Sequence, residues 1–226
     1  MTNAILTETD IRNLLSEKDS LQMEVYNNIL SMLMNKELVP GQVINRREIA
    51  ARLGVSVAPV LEAFVLLKQE GFVQTLSRKG TIVSPATDIQ IYGSLIVREA
   101  LEIEAASFYC GEKIRQNYDE LIAYAEEMDT KKVYSIEHAR MEIILHSSLV
   151  NLAGFPNLFS VFTKNIRLGM FFRLNSIQNS ERVSEHQHHK SFINALCTDD
   201  KVEAGEIVRN HVRSGKKWSL FGPDFK

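Results

Sequence analysis

The chain has 226 residues, of which 45% are hydrophobic and 24% are charged, so it suits two globular domains rather than a disordered or fibrous protein. No apolar run reaches the roughly 18 to 20 residues that cross a membrane. The formal net charge of −2 alone argues against a nucleic-acid partner, but the distribution of charge decides more than its sum.

Residues 1–20 are polar and acidic and are unlike a secretory signal, so we interpret them as a polar leader with some helical character. Cys110 and Cys197 match no metal-binding or redox spacing. We expect both to be free thiols in a reducing compartment, and we expect a cytoplasmic protein with no membrane partner.

Residues 21–85 carry seven basic and five acidic residues and predict three helices followed by a β-hairpin, the order of a winged helix-turn-helix. Periodicity and breaker residues place the helices at about 21–35, 46–53 and 56–69, and the strands at 71–76 and 80–84. Asn45 and Glu48 form a candidate capping box for the second helix, Gly54 ends that helix, and Ser56 caps the third.

A helix-turn-helix places the start of its second helix against base edges in the major groove. We therefore predict DNA contacts from that helix start, from two arginines at the start of the preceding helix and from the wing tip. These residues are Arg46, Arg47, Ser56, Val57, Ala58, Val60, Leu61, Arg78 and Lys79. Base-edge contacts supply specificity, and phosphate contacts supply most of the salt-dependent affinity. On this pattern alone, a winged helix that binds another protein remains open.

Four local motifs follow one another in this segment: a Pro-Gly pair, a Leu-Gly-Val-Ser turn, a Pro-Val-x-Glu-Ala helix start and a Glu-Gly-Phe-Val entry to the wing. Together with Gly-Thr-Ile-Val at 80–83, they resemble the DNA-binding domain of the GntR family. The resemblance implies operator binding and matches Arg47 and Ser56 to DNA-contacting positions. Val57 and Leu61 stand where the family usually has arginine, so we expect weaker or differently coded DNA binding.

After a linker at 84–87, the sequence has no convincing strand as far as residue 217, and it predicts an all-α domain of about six helices over 86–217. The expected helices lie near 88–112, 115–128, 132–153, 156–177, 181–199 and 201–217. Residues 218–226 contain a Gly-Pro break and are expected to form an irregular tail.

Histidine and carboxylate side chains are grouped in this second domain. His138, Glu142 and His146 are spaced i, i+4, i+8 and share one helix face. Glu142 with His146 is a natural pair of metal ligands one turn apart, and histidines from two further helices would complete a site inside a bundle. From spacing alone, the alternative that these histidines are ordinary surface or core residues stays open.

Three motifs in this domain are Arg98-Glu-Ala-Leu-Glu102, Glu142-Ile-Ile-Leu-His146 and the segment from His189 to Asn210-His211. They resemble the FCD ligand-binding domain of the FadR subfamily. The resemblance implies four metal ligands, which in this sequence are Glu142, His146, His189 and His211. Glu142 replaces the family's aspartate, which lengthens that ligand by one methylene group. The implied metal is zinc, nickel or manganese.

The remaining histidines have no matched role. We interpret His138 as a surface residue or a neighbour of the ligands, and His186 and His188 as solvent-exposed. The resemblance also implies a small organic acid bound beside the metal, with Arg98 as its partner. A salt bridge from Arg98 to Glu102, four residues on, is an equally good interpretation.

The sequence thus predicts a ligand-responsive transcription regulator, a repressor that binds a palindromic operator as a homodimer, and not an enzyme. One alternative is a DNA-binding regulator with a metal-free effector or none. A DNA-binding architectural protein without an effector and a metalloenzyme are the others. No nucleophile elbow, phosphate loop or paired general base supports the metalloenzyme.

Overall fold

The computed structural model describes residues 3–15, 20–133, 135–176 and 188–214 and is mainly α-helical. Its elements, in chain order, are α1 (Glu8–Leu14), α2 (Leu21–Met34), α3 (Arg46–Leu53), α4 (Val57–Gln69), β1 (Val73–Leu76), β2 (Gly80–Val83), α5 (Asp88–Tyr109), α6 (Glu112–Gln116), α7 (Tyr118–Asp129), α8 (Ile136–Leu152), α9 (Pro156–Asn175), α10 (His189–Ala195) and α11 (Lys201–Arg213). The predicted fold class, three helices with a hairpin followed by an all-α domain, is confirmed.

The turn between α3 and α4 depends on local signals that the sequence carries. The Asn45 side chain accepts from the backbone N–H of Arg47 at 3.0 Å, and Gly54 ends α3 in the left-handed region at φ 67°. The predicted capping box is incomplete. In a full capping box the Glu48 carboxylate would accept from the backbone N–H of Asn45, but here it accepts from the side-chain amide of Asn45 at 2.7 Å. Ser56 is the N-cap of α4 but makes no side-chain capping hydrogen bond.

The hairpin forms the wing, with β1 antiparallel to β2 in a register that pairs Val73 with Val83 and Leu76 with Gly80. The first strand is shorter than predicted because Gly71, at φ 91°, still belongs to the turn that follows α4. An isolated bridge from Val43 to Ile82 ties the wing to the loop before α3.

The helical domain differs from the prediction where the chain bends without a strong local signal. The predicted helix 88–112 is divided at Gly111, whose φ of 70° ends α5 and lets the short α6 begin. Among its described residues, the helical domain contains seven helices, α5 to α11, rather than the predicted number of about six. The predicted helices 181–199 and 201–217 are seen only as α10 and α11, and residues 181–187, 215–217 and 218–226 lie outside the described residues.

Helix α5 lies at the centre of this domain, where it packs against α8, α9 and α11. Pro156 occupies the first turn of α9, where its missing N–H costs nothing. The side chain of Ser135 accepts from the backbone N–H of His138 and caps α8. These contacts fix the helices whose inner faces carry the polar residues described below.

The described part of the leader, residues 3–15, packs against the helical domain. The carboxylate of Glu120 accepts from the backbone N–H groups of Ala4 and Ile5, at 2.8 and 2.9 Å. Two leader side chains, Leu6 and Ile11, are buried against Phe159 of α9 in a small apolar cluster. The composition of the leader is polar, but Leu6 and Ile11 are apolar and serve this docking.

Within the described residues, no single helix is long and apolar enough to cross a membrane. Helices α3 and α4 reach the required length and apolar content only when they are counted as one segment, and the chain bends by 116° between them.

Candidate functional site

A buried cluster of polar side chains lies where α5, α8, α10 and α11 meet. Helix α8 contributes Glu142 and His146, α10 contributes His189, and α11 contributes His211. Their exposed fractions are 1%, 0%, 0% and 9%, so all four are removed from solvent. Buried polar groups of this kind require partners or a bound ion.

The three histidines each offer a ring nitrogen, and these nitrogens lie within 4.8 Å of one another. Glu142 adjoins the same space: its Oε1 is 3.2 Å from Nε2 of His189, and its Oε2 is 3.6 Å from Nε2 of His146. The four residues that the FCD resemblance pointed to are therefore brought together from three separate helices. Three imidazoles and a carboxylate are a donor set that suits a divalent transition metal.

Two further carboxylates hold the histidine rings from behind. Glu102 Oε2 lies 2.8 Å from Nδ1 of His146, and Asp129 Oδ1 lies 2.8 Å from Nδ1 of His189. Each pair turns an Nε2 atom toward Glu142. Metal-bound histidines typically donate their second ring N–H to a carboxylate in this way.

One nitrogen in the cluster has no hydrogen-bond partner among the described residues, namely Nε2 of the fully buried His146. An unsatisfied buried polar atom costs about 1–3 kcal/mol. A metal ion in the space that this nitrogen shares with His189 and His211 would satisfy it. The residues present thus fit a bound metal.

Sequence reasoning missed Asp129 and saw Glu102 only as a partner of Arg98. Asp129 ends α7, sixty positions from His189, and it also accepts from the backbone N–H groups of His189 and Lys190 at the start of α10. No local spacing links it to the site. Glu102 was open to prediction, because a carboxylate behind each ligand histidine is the expected arrangement.

Arg98, which is 3% exposed, is held by two carboxylates. Its Nε lies 2.5 Å from Glu102 Oε1, and a terminal nitrogen lies 3.0 Å from Glu142 Oε2. The salt bridge to Glu102 is therefore formed, and a second to Glu142 accompanies it. Burial opposes its charge, but Glu102 and Glu142 outweigh burial and hold the pKa of Arg98 above its ordinary value.

The protonation states of the cluster follow from burial and charge. Burial alone would raise the pKa of Glu142, but Arg98 and the neighbouring histidines hold it well below its ordinary value. Burial and the other imidazoles put the pKa of His211 well below its ordinary value, and burial lowers the pKa of His146. Both rings are therefore neutral near pH 7, which is the form that binds metals. For His189, Asp129 and Glu142 overcome burial and raise the pKa to about 8.

Of the remaining histidines, His138 is buried at 4% exposure rather than on the surface. Its ring centroid is 5.8 Å from that of His189, so it is a neighbour of the cluster, and burial lowers its pKa. His188 is exposed, as expected, at the start of α10, and His186 lies outside the described residues.

The predicted DNA-reading surface lies at the start of α4. Ser56 and Ala58 are exposed, and Val57 and Leu61 expose 38% and 41% of their surface. The inclusion of Val60 was wrong, since Val60 is 0% exposed and packs in the core.

The predicted basic residues occupy two different settings. Arg47 at the start of α3 and both Arg78 and Lys79 at the wing tip are exposed. Arg46 is half-buried, donates to the Thr81 hydroxyl at 2.6 Å, and lies over the ring of Phe64 at 6.0 Å. Arg46 therefore joins α3 to the wing and is less available to DNA than its neighbour.

A winged helix-turn-helix joined to a helical domain with a buried imidazole cluster defines a two-domain DNA-binding regulator. The sequence matches the family of bacterial regulatory proteins of the gntR type over residues 21–83 and the FCD domain over residues 94–214, more than half of the chain. The chain belongs to the GntR family of transcription regulators and carries an FCD effector-binding domain.

Relatives agree with this assignment. An uncharacterised HTH-type transcriptional regulator in an unstable DNA locus of Streptomyces ambofaciens is 26% identical, over 84% of this chain and 81% of that protein. The Nta operon transcriptional regulator of Aminobacter aminovorans is 28% identical, over 80% and 86%. The structure of McbR/YncC from E. coli shares the fold, with a TM-score of 0.69 at 17% identity over 91% of this chain and 100% of that one.

A putative GntR regulator from Rhodococcus sp. RHA1 superposes with a TM-score of 0.68 at 17% identity, over 89% of this chain and 98% of that one. The two relatives and the Rhodococcus structure are described as transcriptional regulators. The expectation that this chain is a regulator rather than an enzyme is confirmed by them.

Proposed function

We propose that the chain is a metal-dependent, ligand-responsive repressor of the FadR subfamily that acts in the cytoplasm as a homodimer on a palindromic operator. In this proposal residues 21–85 bind DNA and residues 86–217 sense the ligand. Two copies of a winged helix-turn-helix suit two half-sites related by a two-fold axis.

The observation that carries the metal part of the proposal is the unpartnered Nε2 of His146 beside Glu142, His189 and His211. We assign these four residues as ligands of zinc, nickel or manganese, a choice that donor softness leaves open. A bound metal would supply a Lewis-acidic centre with a position for an exogenous carboxylate. Within the protein, Glu102 and Asp129 fix the ring tautomers, and Arg98 compensates the charge of Glu142.

The effector in this proposal is a small organic acid bound beside the metal. Arg98 was a candidate partner for the carboxylate of the effector. It can keep that role only if its guanidinium group still offers an N–H donor while it is paired with Glu102 and Glu142. The two short ion pairs support the structural role more strongly. An Arg98→Lys variant separates the roles, because lysine keeps the charge but loses the fork.

Elemental analysis of the purified protein tests the metal assignment. We expect about one transition-metal ion per chain in the native protein and none in a Glu142→Ala, His146→Ala variant. A His188→Ala variant is the matched control, because His188 is exposed and should leave the metal content unchanged. Native protein without metal would leave the alternative of a regulator with a metal-free effector or none.

Linkage tests the regulatory part. An effector that releases DNA must bind more weakly to the operator complex than to the free protein, by the same factor by which it weakens DNA binding. Titration of simple carboxylates into metal-loaded protein, with and without operator DNA, measures this factor. Equal affinities in both titrations would contradict regulation by that ligand.

A further inference from the structure

A cavity separate from the histidine cluster lies where the leader, the DNA-binding domain and the helical domain meet. Its volume is about 280 Å³, and α1, α2, α8 and α9 all contribute to its walls. We call it the junction cavity. Nothing in the metal-dependent mechanism uses it.

Three arginines line the junction cavity, and each comes from a different helix: Arg12 from α1, Arg140 from α8 and Arg167 from α9. Among the described residues of the lining, Glu8 is the single carboxylate. Guanidinium groups outnumber carboxylates by three to one among these described residues, although the chain as a whole carries a net charge of −2. Such a local excess of positive charge favours an anion.

The apolar part of the lining comes from Ile11 of α1, from Leu30 and Met34 of α2, and from Ile143 and Ile144 of α8. The volume lies just below the range of about 300–1,000 Å³ that is typical of ligand sites, so it suits only a small ligand. A short hydrocarbon chain with carboxylates at its ends matches this arrangement, because each carboxylate can take a guanidinium fork while the methylene groups contact the apolar wall.

Arg140 already connects the domains, since one of its terminal nitrogens donates to the Asn35 side chain at 2.8 Å. Asn35 ends α2 in the DNA-binding domain. Arg140 also precedes Glu142 on α8 by two residues. A ligand in the junction cavity would therefore contact both domains. In the helical domain it would contact α8, the helix that carries Glu142 and His146.

We propose that the junction cavity binds a short aliphatic dicarboxylate and that the bound ligand stabilises the described placement of the DNA-binding domain on the helical domain. This site is separate from the histidine cluster and does not depend on a metal there. A ligand shifts such an arrangement only by its preferential binding to it.

The experiment is calorimetric titration of the full chain with succinate, glutarate and adipate, with glutaramide as the uncharged analogue of glutarate. We expect at least one of the three dicarboxylates to bind and glutaramide not to bind. Arg140→Gln and Arg167→Gln should each weaken binding by about tenfold or more, because each removes a charge-assisted contact. Arg209→Gln on α11 makes the same charge change outside the cavity and should alter affinity less than twofold.

The Glu142→Ala, His146→Ala variant distinguishes this site from the proposed metal site. Binding that survives in this variant but falls in the two cavity variants supports the junction cavity, whatever the metal content. Binding lost in the metal-site variant and unchanged in the cavity variants overturns the proposal, as does the absence of dicarboxylate binding to the native chain. An Arg140→Lys variant, which keeps the charge, guards against a folding defect, and it should bind more tightly than Arg140→Gln.

Discussion

At the scale of single residues, Glu102 shows how one carboxylate serves two neighbours. One oxygen faces Arg98 on the same helix, and the other faces Nδ1 of His146 on α8. Arg98 and His146 outweigh burial and keep the pKa of Glu102 below its ordinary value. The side chain thus stays ionised, and an ionised carboxylate is what holds the His146 ring in the orientation that presents Nε2.

We predict that Glu102→Gln lowers metal affinity by about 10- to 100-fold, because a neutral amide holds the His146 ring less firmly and lowers its basicity. Competition against a chelator of known affinity measures the effect. Glu104→Gln, an exposed position on the same helix, is the control and should bind metal like the native chain. Equal metal affinity in the two variants would remove Glu102 from the site.

Arg47 is the residue on which the DNA-binding assignment can be tested most directly. We predict that Arg47→Ala weakens operator binding by about 1–3 kcal/mol if the guanidinium reads a base. If it binds phosphate, the loss should be similar for all DNA sequences, and the salt dependence should fall by about one unit of slope. Fluorescence anisotropy at several salt concentrations separates these cases.

Lys68 provides the control for this measurement, because it is exposed at the far end of α4 from the reading surface. Lys68→Ala should leave operator affinity nearly unchanged. An Arg47→Ala variant with native affinity and native salt dependence would mean that the contact surface has been placed wrongly.

At the scale of elements, predictability followed the strength of local signals. Helix α3 has the predicted bounds because Asn45 caps it and Gly54 ends it. The prediction of one long helix over 88–112 was wrong at Gly111, because the apolar periodicity of the sequence continues although the helix ends there. There the backbone turns close to Asp199, so that an added Cβ would lie 2.2 Å from Oδ1 of that residue. That constraint arises from packing against a distant segment, which no local rule reports.

The leader helix α1 provides a second test at this scale. Ile11 is 1% exposed and is buried in a small cluster with Leu6 and Phe159. We predict that Ile11→Ala loosens the leader, because deleting a buried isoleucine side chain typically costs about 2–5 kcal/mol. Hydrogen exchange of the amides in residues 3–15 should accelerate.

Leu14→Ala is the matched control, since Leu14 lies on the same helix but is 45% exposed. It should leave the exchange of the leader close to native. If Ile11→Ala also left exchange unchanged, the backbone contacts to Glu120 would be sufficient to dock the leader.

At the scale of the whole molecule, the histidine cluster joins segments that are far apart in sequence, and this limits what the sequence could reveal. Spacing alone linked Glu142 to His146, together with His138. The other two proposed ligands, His189 and His211, came from a family resemblance, and Asp129 came from neither. Side chains from three helices meet because α5 brings α8 and α11 against its two sides, a fact of tertiary packing that periodicity does not encode.

Because α8, α10 and α11 all contribute proposed ligands, a bound metal should stabilise the whole helical domain. We predict that adding metal at about 100 times its Kd raises the free energy of unfolding by about 2.7 kcal/mol, and that a chelator reverses the change. Thermal unfolding followed by circular dichroism measures it. The Glu142→Ala, His146→Ala variant should show no response, and a metal-induced rise of equal size in that variant would contradict the ligand assignment.

The exposed apolar side chains at the start of α4 carry a consequence for the operator. Val57 and Leu61 offer no hydrogen bond to a base edge, and the only apolar group that the major groove displays is the methyl group of thymine. A helix of this kind distinguishes thymine from cytosine by contact with that methyl group. If α4 reads the operator as proposed, we predict half-sites in which thymines face α4, and we expect weaker binding when uracil replaces those thymines.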